Sequence, residues 1–309
     1  MKIVKTLLSH LWFFTSEIRN LLYEKGFFQS KSYPNQFVIG IGNLEISGTG
    51  KTTLTIELAK YFESQNYKIG IFTSNYKGKA KKGIFKKVSS NLNDESNLIL
   101  SQTNAVLGVK EVPQEAEIIL VDDSFQKRYL HKDFEICLVA NLKEKFCLPL
   151  GKLREPTKNL IRASEVIFTK SAFFETITEN PKLDFSKGFV IDFDKRDLPQ
   201  NLISISATGN FNWFRKCLEF NSIKTKNDFH FRDHSDFKKG EIDKIFSNYP
   251  NHFILTTEKD FPKLLNLGIT KDRILIFKIK INLEEIQPIL KKLELLLERK
   301  YLNKYNKIE

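Results

Sequence analysis

Between residues 42 and 53 the chain reads Gly42-Asn43-Leu44-Glu45-Ile46-Ser47-Gly48-Thr49-Gly50-Lys51-Thr52-Thr53. Two glycines one residue apart, succeeded at once by Lys-Thr-Thr, are residue types suited to binding phosphate. Gly48 and Gly50, on either side of Thr49, let backbone N–H groups turn inward around anionic oxygens. Lys51 places a cation within reach of the β- and γ-phosphates of a nucleotide, the Thr52 hydroxyl is a ligand for Mg²⁺, and Thr53 carries the loop into a helix. The strict pattern has a glycine five residues before Gly50; this chain has Glu45 there, so the loop is a variant. The alternative is a glycine turn ahead of a helix that carries an exposed lysine.

A second cluster is Ile118-Ile119-Leu120-Val121-Asp122-Asp123, an apolar strand ending in two carboxylates. Beside a glycine loop, Asp122 is placed to hold Mg²⁺ together with Thr52; otherwise the pair is an ordinary strand-to-turn junction.

The elements that must position these groups can be read from periodicity. The apolar run 37–41 precedes the loop, and Leu54, Leu58, Ala59 and Phe62 share one helical face after it. The helix N-terminus adds partial positive charge at the loop. Further strands are predicted over 68–73, 117–121, 135–140 and 165–169. Strands alternating with helices imply an α/β fold with a mostly parallel sheet, of the P-loop NTPase type. A polar stretch around 171–200, with Pro181, Gly188 and Pro199, reads as a link to a second, smaller α/β domain. That domain has strands at 202–206, 253–256 and 274–279, a helix at 213–220, and a leucine-rich closing helix over 283–302 in which Pro288 is tolerable only near the first turn. The expected boundaries are 1–28, 29–185 and 186–309.

Residues 3–23 form a predicted amphipathic helix: Val4, Leu7, Leu8, Leu11, Phe14, Ile18, Leu21 and Leu22 recur at helical spacing, widened by Trp12 and Phe13. Lys2, Lys5 and Arg19 add positive charge, so the helix suits a membrane interface; the alternative is that the stripe packs on the protein's own core. Ser9 and His10 interrupt the patch and no small-residue cleavage site comes after it, so an unprocessed chain is expected. No stretch approaches the roughly 18 consecutive apolar residues of a transmembrane helix. The net charge of +12 over 309 residues favours an anionic partner. The run from Lys77 to Lys87 holds six lysines and no acid, and is either a solvated face or a phosphate- or lipid-facing loop. Three cysteines, few and without metal-ligand spacing, suit a reducing compartment and no disulfide framework.

Asp122-Asp123-Ser124-Phe125-Gln126-Lys127-Arg128 resembles the Asp-Asp-Gly-Phe-Gln-His-Arg signature of the tetraacyldisaccharide 4'-kinases, the lipid A 4'-kinases. Other blocks match in order: the loop itself; Leu148-Pro149-Leu150-Gly151-Lys152-Leu153-Arg154-Glu155-Pro156; Phe231-Arg232-Asp233-His234; and Thr256-Thr257-Glu258-Lys259-Asp260. Leu22-Tyr23-Glu24-Lys25-Gly26 is similar to the end of the family's N-terminal helix. The resemblance spans nearly the whole chain. It implies transfer of the ATP γ-phosphate to the 4'-hydroxyl of a tetraacylated disaccharide 1-phosphate, with Mg²⁺, at the cytoplasmic face of the bacterial inner membrane. The chain would be a peripheral or monotopic protein at an anionic membrane surface, without nucleic acid or an obligate protein partner. Asn93-Asp94-Glu95-Ser96 occupies the place of the family's Gly-Asp-Glu-Pro, which implies Asp94 as general base, oriented by His234 from the second half. Asp123 joins the catalytic set, and Glu95, Gln126, Lys127, Arg154 and Glu155 lie at the substrate or behind the catalytic groups.

The chain departs from the family at several points. Ser74-Asn75-Tyr76-Lys77 lacks the arginine of a Ser-Arg-Gly-Tyr block, and the stretch between Asp94 and Asp122 lacks an Asp-Arg pair, with Lys110 the nearest cation. Ser124 and Lys127 replace a glycine and a histidine. Loss of arginines near transferring phosphates weakens charge stabilisation, and lysines such as Lys77, Lys79 or Lys127 offer point charges without the bidentate fork. Two further readings remain open: a catalytically weakened member, or a P-loop NTPase acting as a switch or with nucleic acid. Against the latter, Glu258 precedes Lys259 where a guanine motif needs asparagine, and no aromatic–basic interleaving is seen.

Overall fold

The computed structural model describes residues 2–46, 48–140, 145–169, 189–192, 198–233, 235–281 and 283–305. His234, Ser47 and most of the expected link over 171–200 lie outside them. Contacts divide the chain into a large unit, Met1–Phe189 with Ile281–Glu309, and a small unit, Val190–Lys280.

In the large unit, helix α1 (Lys2–Glu24) precedes β1 (Phe37–Asn43), α2 (Lys51–Ser64), β2 (Ile69–Thr73), β3 (Gly83–Phe85), α3 (Asp94–Gln102), β4 (Val106–Val109), β5 (Ile118–Asp122), β6 (Phe134–Val139) and β7 (Glu165–Phe168). The sheet order is β3-β4-β2-β5-β1-β6-β7. All neighbours are parallel except β3, which runs antiparallel along β4 at the edge. A parallel sheet covered on both faces needs strands apolar at every position, and β1, β2, β5 and β6 are buried throughout. Ile39, Ile41, Ile71, Leu120 and Ile136 point to the side of Leu54, Leu58 and Phe62 of α2. Val38, Phe72, Ile119 and Val121 form the opposite layer with Val112 and Leu130.

All five strands expected before residue 170 are present. In that same stretch two strands and one helix escape the sequence pattern. The four-residue β4 is interrupted by Gly108, β3 lies within the lysine run, and the first turn of α3 is polar. Asp94, which reads as a loop residue when taken alone, is the first residue of that helix. Its N-terminus is capped by the Asn93 side chain, which accepts a hydrogen bond from the Ser96 amide.

Helix α1 is inside out. Ile3, Leu7, Leu11, Phe14, Ile18 and Leu21 are exposed, whereas Ser9, Ser16 and Asn20 are buried against the large unit. The docked face is held by polar contacts. The Ser9 hydroxyl donates to the Cys147 carbonyl (2.6 Å), and the Trp12 indole to the Arg154 carbonyl (2.8 Å). Asn20 and Arg19 bind Glu155. The alternative in which the stripe covers the protein's own core therefore fails, except at half-buried Leu22 and at half-buried Phe13, which packs beside Leu44, Phe125 and Leu153. No helix among the described residues is long and apolar enough to cross a membrane.

The small unit contains β9 (Leu202–Ser206), α4 (Phe211–Phe220), β10 (Asp228–His230), α5 (Lys239–Asn248), β11 (Phe253–Thr257), α6 (Phe261–Asn266) and β12 (Ile274–Ile281). With β8 (Phe189–Asp192) its sheet has the order β10-β9-β11-β12-β8. The closing helix, α7 (Leu283–Tyr305), does not belong here, contrary to the expected boundary at 186. Its Ile286, Ile289, Leu290, Leu293 and Leu297 complete the core beneath α2 in the large unit. Pro288 is the sixth residue of α7, as the expected start at 283 implies.

Candidate active site

The loop after β1 is built from buried polar contacts. Asn43, at the strand's end, donates from its amide to the Glu45 carbonyl (2.7 Å) and to the buried Thr49 hydroxyl (3.1 Å). Glu45, at the position where the strict motif has glycine, is a brace: its carboxylate accepts from the Ala140 amide at 3.0 Å, at the end of β6. Gly50 caps α2 with φ of 92°, a conformation that favours glycine. A side chain at Gly48 would project into open space at the loop mouth. The structure thus leaves a cradle bounded by a helix N-terminus, of the kind that receives a phosphate.

Lys51 opens α2, and its ammonium lies 3.4 Å from the Asp123 carboxylate. Asp123 is also gripped by the Arg154 guanidinium, 2.7 Å from both carboxylate oxygens. Arg154 reaches Gln126 as well (3.2 Å), and Gln126 donates to the Asn43 carbonyl (3.1 Å). Burial opposes ionisation of Asp123, but Lys51, Arg154 and Lys127 outweigh it and hold the carboxyl well below the usual range. Asp123 has φ of 53°, an uncommon conformation for a residue with a side chain. Lys127 fixes this turn: its buried ammonium donates to the carbonyls of Asp122 (2.5 Å) and Asp123 (2.8 Å). Burial lowers its pKa. Lys127 therefore holds backbone, where a point charge on phosphate was one expectation.

Asp122 ends β5, one strand over from β1. Burial first, and Glu95 second, push its carboxyl up to about 6. Its Oδ1 is buried with no hydrogen-bond partner. An orphaned carboxylate oxygen beside the first turn of α2 fits a cation: the donors Thr52 and Asp122, with phosphate oxygens, are the hard oxygen set Mg²⁺ takes. Among the described residues no three His, Cys, Asp or Glu side chains form a self-contained metal cage.

The α3 N-terminus brings in Asp94 and Glu95. Its position depends on Asn75, which sequence reasoning registers only as a lost arginine. Asn75 is buried with φ of 50°. Its side-chain oxygen accepts from the Asn93 amide (2.8 Å), and its nitrogen donates to the carbonyls of Ala80 and Asn91 (both 3.1 Å). An asparagine, a residue type that tolerates positive φ, directly ahead of a lysine run is the signal the sequence offers.

Glu155 does not face the loop. It is fully buried and accepts from Arg19 (3.0 Å), Asn20 (2.8 Å), Asn159 (3.1 Å) and Arg162 (2.6 Å). It ties α1 to the segment that carries Arg154.

In the small unit, buried Asp260 accepts from the Ala207 amide (2.9 Å) and the Thr257 hydroxyl (2.7 Å). Lys259 lies 3.1 Å from Asp233. The Thr256–Asp260 block thus fixes the segment that leads into His234.

A glycine cradle between a central parallel strand and its helix, a lysine in that helix's first turn and a carboxylate at the tip of the next strand define a P-loop nucleotide-binding protein. The chain belongs to the tetraacyldisaccharide-1-P 4'-kinase family, whose model matches residues 1–297. It is similar to the tetraacyldisaccharide 4'-kinase of Aquifex aeolicus, 31% identical over 307 residues, covering 90% of this chain and 94% of the relative. Its likeness to the Flavobacterium psychrophilum enzyme of the same name is 29% over 292 residues, 82% of this chain and 84% of that one. A crystal structure of Aquifex aeolicus LpxK in complex with ATP superposes with a TM-score of 0.67 at 27% identity, covering 93% of this chain and 98% of that one. The switch and nucleic-acid readings are thereby set aside.

Proposed function

We propose that the chain transfers the γ-phosphate of ATP to the 4'-hydroxyl of tetraacyldisaccharide 1-phosphate, the step that yields lipid IVA in lipid A biosynthesis. The observation that carries this reading is the meeting of Lys51, Asp122, Asp123 and Arg154 beneath an open glycine cradle. The cradle amides and Lys51 bind the β- and γ-phosphates. Thr52 and Asp122 would hold Mg²⁺, which when bound neutralises charge between those phosphates. Asp123 orients Lys51 and Arg154, so that two cations face the transferring group in fixed positions. Asp94 accepts the proton of the 4'-hydroxyl. A positioned carboxylate suffices, because a loose phosphoryl transfer asks little of its base. Incubation with ATP labelled on its γ-phosphate tests the transfer: label must enter the lipid fraction, and release of inorganic phosphate alone would count against it.

Replacing Asp94 by asparagine is expected to lower kcat by roughly 10²-fold or more with little change in the KM for lipid, since the base acts only in the transition state. If Asp94 and His234 act as a unit, the double alanine variant is little worse than the worse single one; fully additive losses in kcat refute the pairing.

The acyl chains of the substrate stay in a bilayer, and α1 supports a reading in which the enzyme binds there, at the cytoplasmic face. Its apolar residues are exposed while its polar side is docked, the arrangement a shallowly inserted helix needs. Lys2, Lys5 and the lysines of 77–87 add attraction to anionic headgroups. Leu7→Gln/Leu11→Gln/Phe14→Gln should keep the fold, because these side chains make no core. Such a variant should pellet several-fold less with anionic liposomes, and pelleting equal to the parent protein would show that the stripe is not the contact.

A further inference from the structure

The carboxyl edge of the large sheet carries a second concavity beyond the cradle. A cavity of about 550 Å³ is lined by Lys31, Lys82, Lys110, Ser74, Tyr33 and Tyr129 over a floor of Phe72, Val112 and Leu130. Glu111 is its one carboxylate, so three lysines face a single acid. None of the three makes an ion pair among the described residues; Lys31 lies over the Tyr33 ring at 5.2 Å. The other large cavity, of about 500 Å³, lies at the amino ends of β2 and β4, and there Lys68 and Lys86 are balanced by Glu63, Glu111 and Glu115. Of these two cavities, the first has the excess of positive charge.

Its position is fixed by the strands. Ser74 comes just after the end of β2 and Lys110 just after the end of β4, where Lys110 is held at φ of 50° with its amide on the Thr73 carbonyl (2.9 Å). In the order β4-β2-β5, these ends stand one and two strands from Asp122, roughly 5 and 10 Å. The segment that starts at Asp122 and Asp123 continues through Gln126 and Lys127 to Tyr129 and Leu130 in the cavity wall. Arg128 in the same segment binds the Asn20 carbonyl and Glu24 of α1. One stretch of chain thus joins the reaction centre, the helix with the exposed apolar face and the lysine-lined cavity. The cavity opens on the sheet face away from α2, so a ligand reaching it from the cradle crosses the carboxyl edge, where α/β sheets bind their ligands.

We propose that Lys31, Lys82 and Lys110 form a subsite for a phosphate monoester at the end of the acceptor remote from the reacting hydroxyl, the 1-phosphate of the disaccharide. This rests on the reading of the enzyme as a disaccharide lipid kinase. Tyr33 and Tyr129 offer flat, partly polar faces to the adjoining sugar.

The test compares the 1-phosphorylated lipid with the same lipid bearing a free 1-hydroxyl, using the parent and Lys31→Gln/Lys82→Gln/Lys110→Gln. The parent should favour the phosphorylated acceptor by roughly tenfold or more in KM, the worth of charge-assisted hydrogen bonds. The triple variant should lose that preference while its KM for ATP stays put, and Lys110→Gln alone should lose part of it. Full discrimination by the triple variant overturns the proposal. So does an effect confined to pelleting with phosphatidylglycerol vesicles, which would assign the lysines to bulk headgroups. A titration with glucosamine 1-phosphate, without ATP, separates this from the catalytic reading: binding by the parent and not by the triple variant supports the subsite even if no transfer is seen, and equal binding by both refutes it.

Discussion

A Lys51→Ala variant is expected to fold normally and to lose phosphoryl transfer by roughly 10³-fold or more in kcat. Lys51 is the first residue of α2, and alanine is the best helix former at such a position. The loop below it is held by Asn43, Thr49 and Glu45 and does not need the ammonium. Asp123 keeps its two contacts with Arg154, so no carboxylate is left unpaired. The loss is confined to the cation aimed at the phosphates. Turnover and thermal unfolding measured on the same preparation check this. A folded Lys51→Ala protein with near-parental turnover would remove the nucleotide from this loop.

The second large effect is on stability. Glu155→Ala leaves the Arg19 and Arg162 guanidinium groups, and the amides of Asn20 and Asn159, around an emptied buried position. Removing one partner of a buried ion pair costs about 3 kcal/mol or more, which for a chain of this size lowers the unfolding midpoint by roughly 5–10 °C. Because two of the four donors come from α1, the helix should loosen with it. Limited proteolysis should then cut near residue 25 faster than in the parent. Glu155→Gln, which keeps acceptor and shape but not the charge, should fall between the two. Equal melting of Glu155→Ala and parent would mean that the buried network does not anchor α1.

These two residues mark the limits of what the amino-acid order shows. Lys51 declares its role locally, because a cradle needs glycine, lysine and threonine in consecutive places and the flanking runs have the right periods. The long apolar strands are legible for the same reason: burial on both faces leaves no polar positions to confuse the pattern. Glu155 can be placed near the site only by resemblance. Nothing local says that four donors from two segments will surround it, since those contacts span up to 136 positions of sequence. Helix α1 shows the same division. Its stripe comes from spacing, but which face is docked is settled by Ser9, Ser16 and Asn20, small polar residues on one line, of which Ser9 and Asn20 find their partners at Cys147 and Glu155. Asp94 is hidden by a polar first turn, although Asn93 succeeded by two acids is a helix start. Asn75 reads as a missing arginine, which shows the lost cation and conceals the gained hydrogen-bond hub. The closing helix goes by sequence to the nearer unit, whereas its leucine stripe fits the larger core.

The most direct test of the account is the position of the new phosphate. Protein incubated with Mg-ATP and tetraacyldisaccharide 1-phosphate in detergent should give a lipid heavier by one phosphate group, and phosphorus NMR correlated to the sugar protons should place that group on the 4' oxygen. Lys51→Ala should give none. A phosphate on any other oxygen, or consumption of ATP with an unchanged lipid, would contradict it.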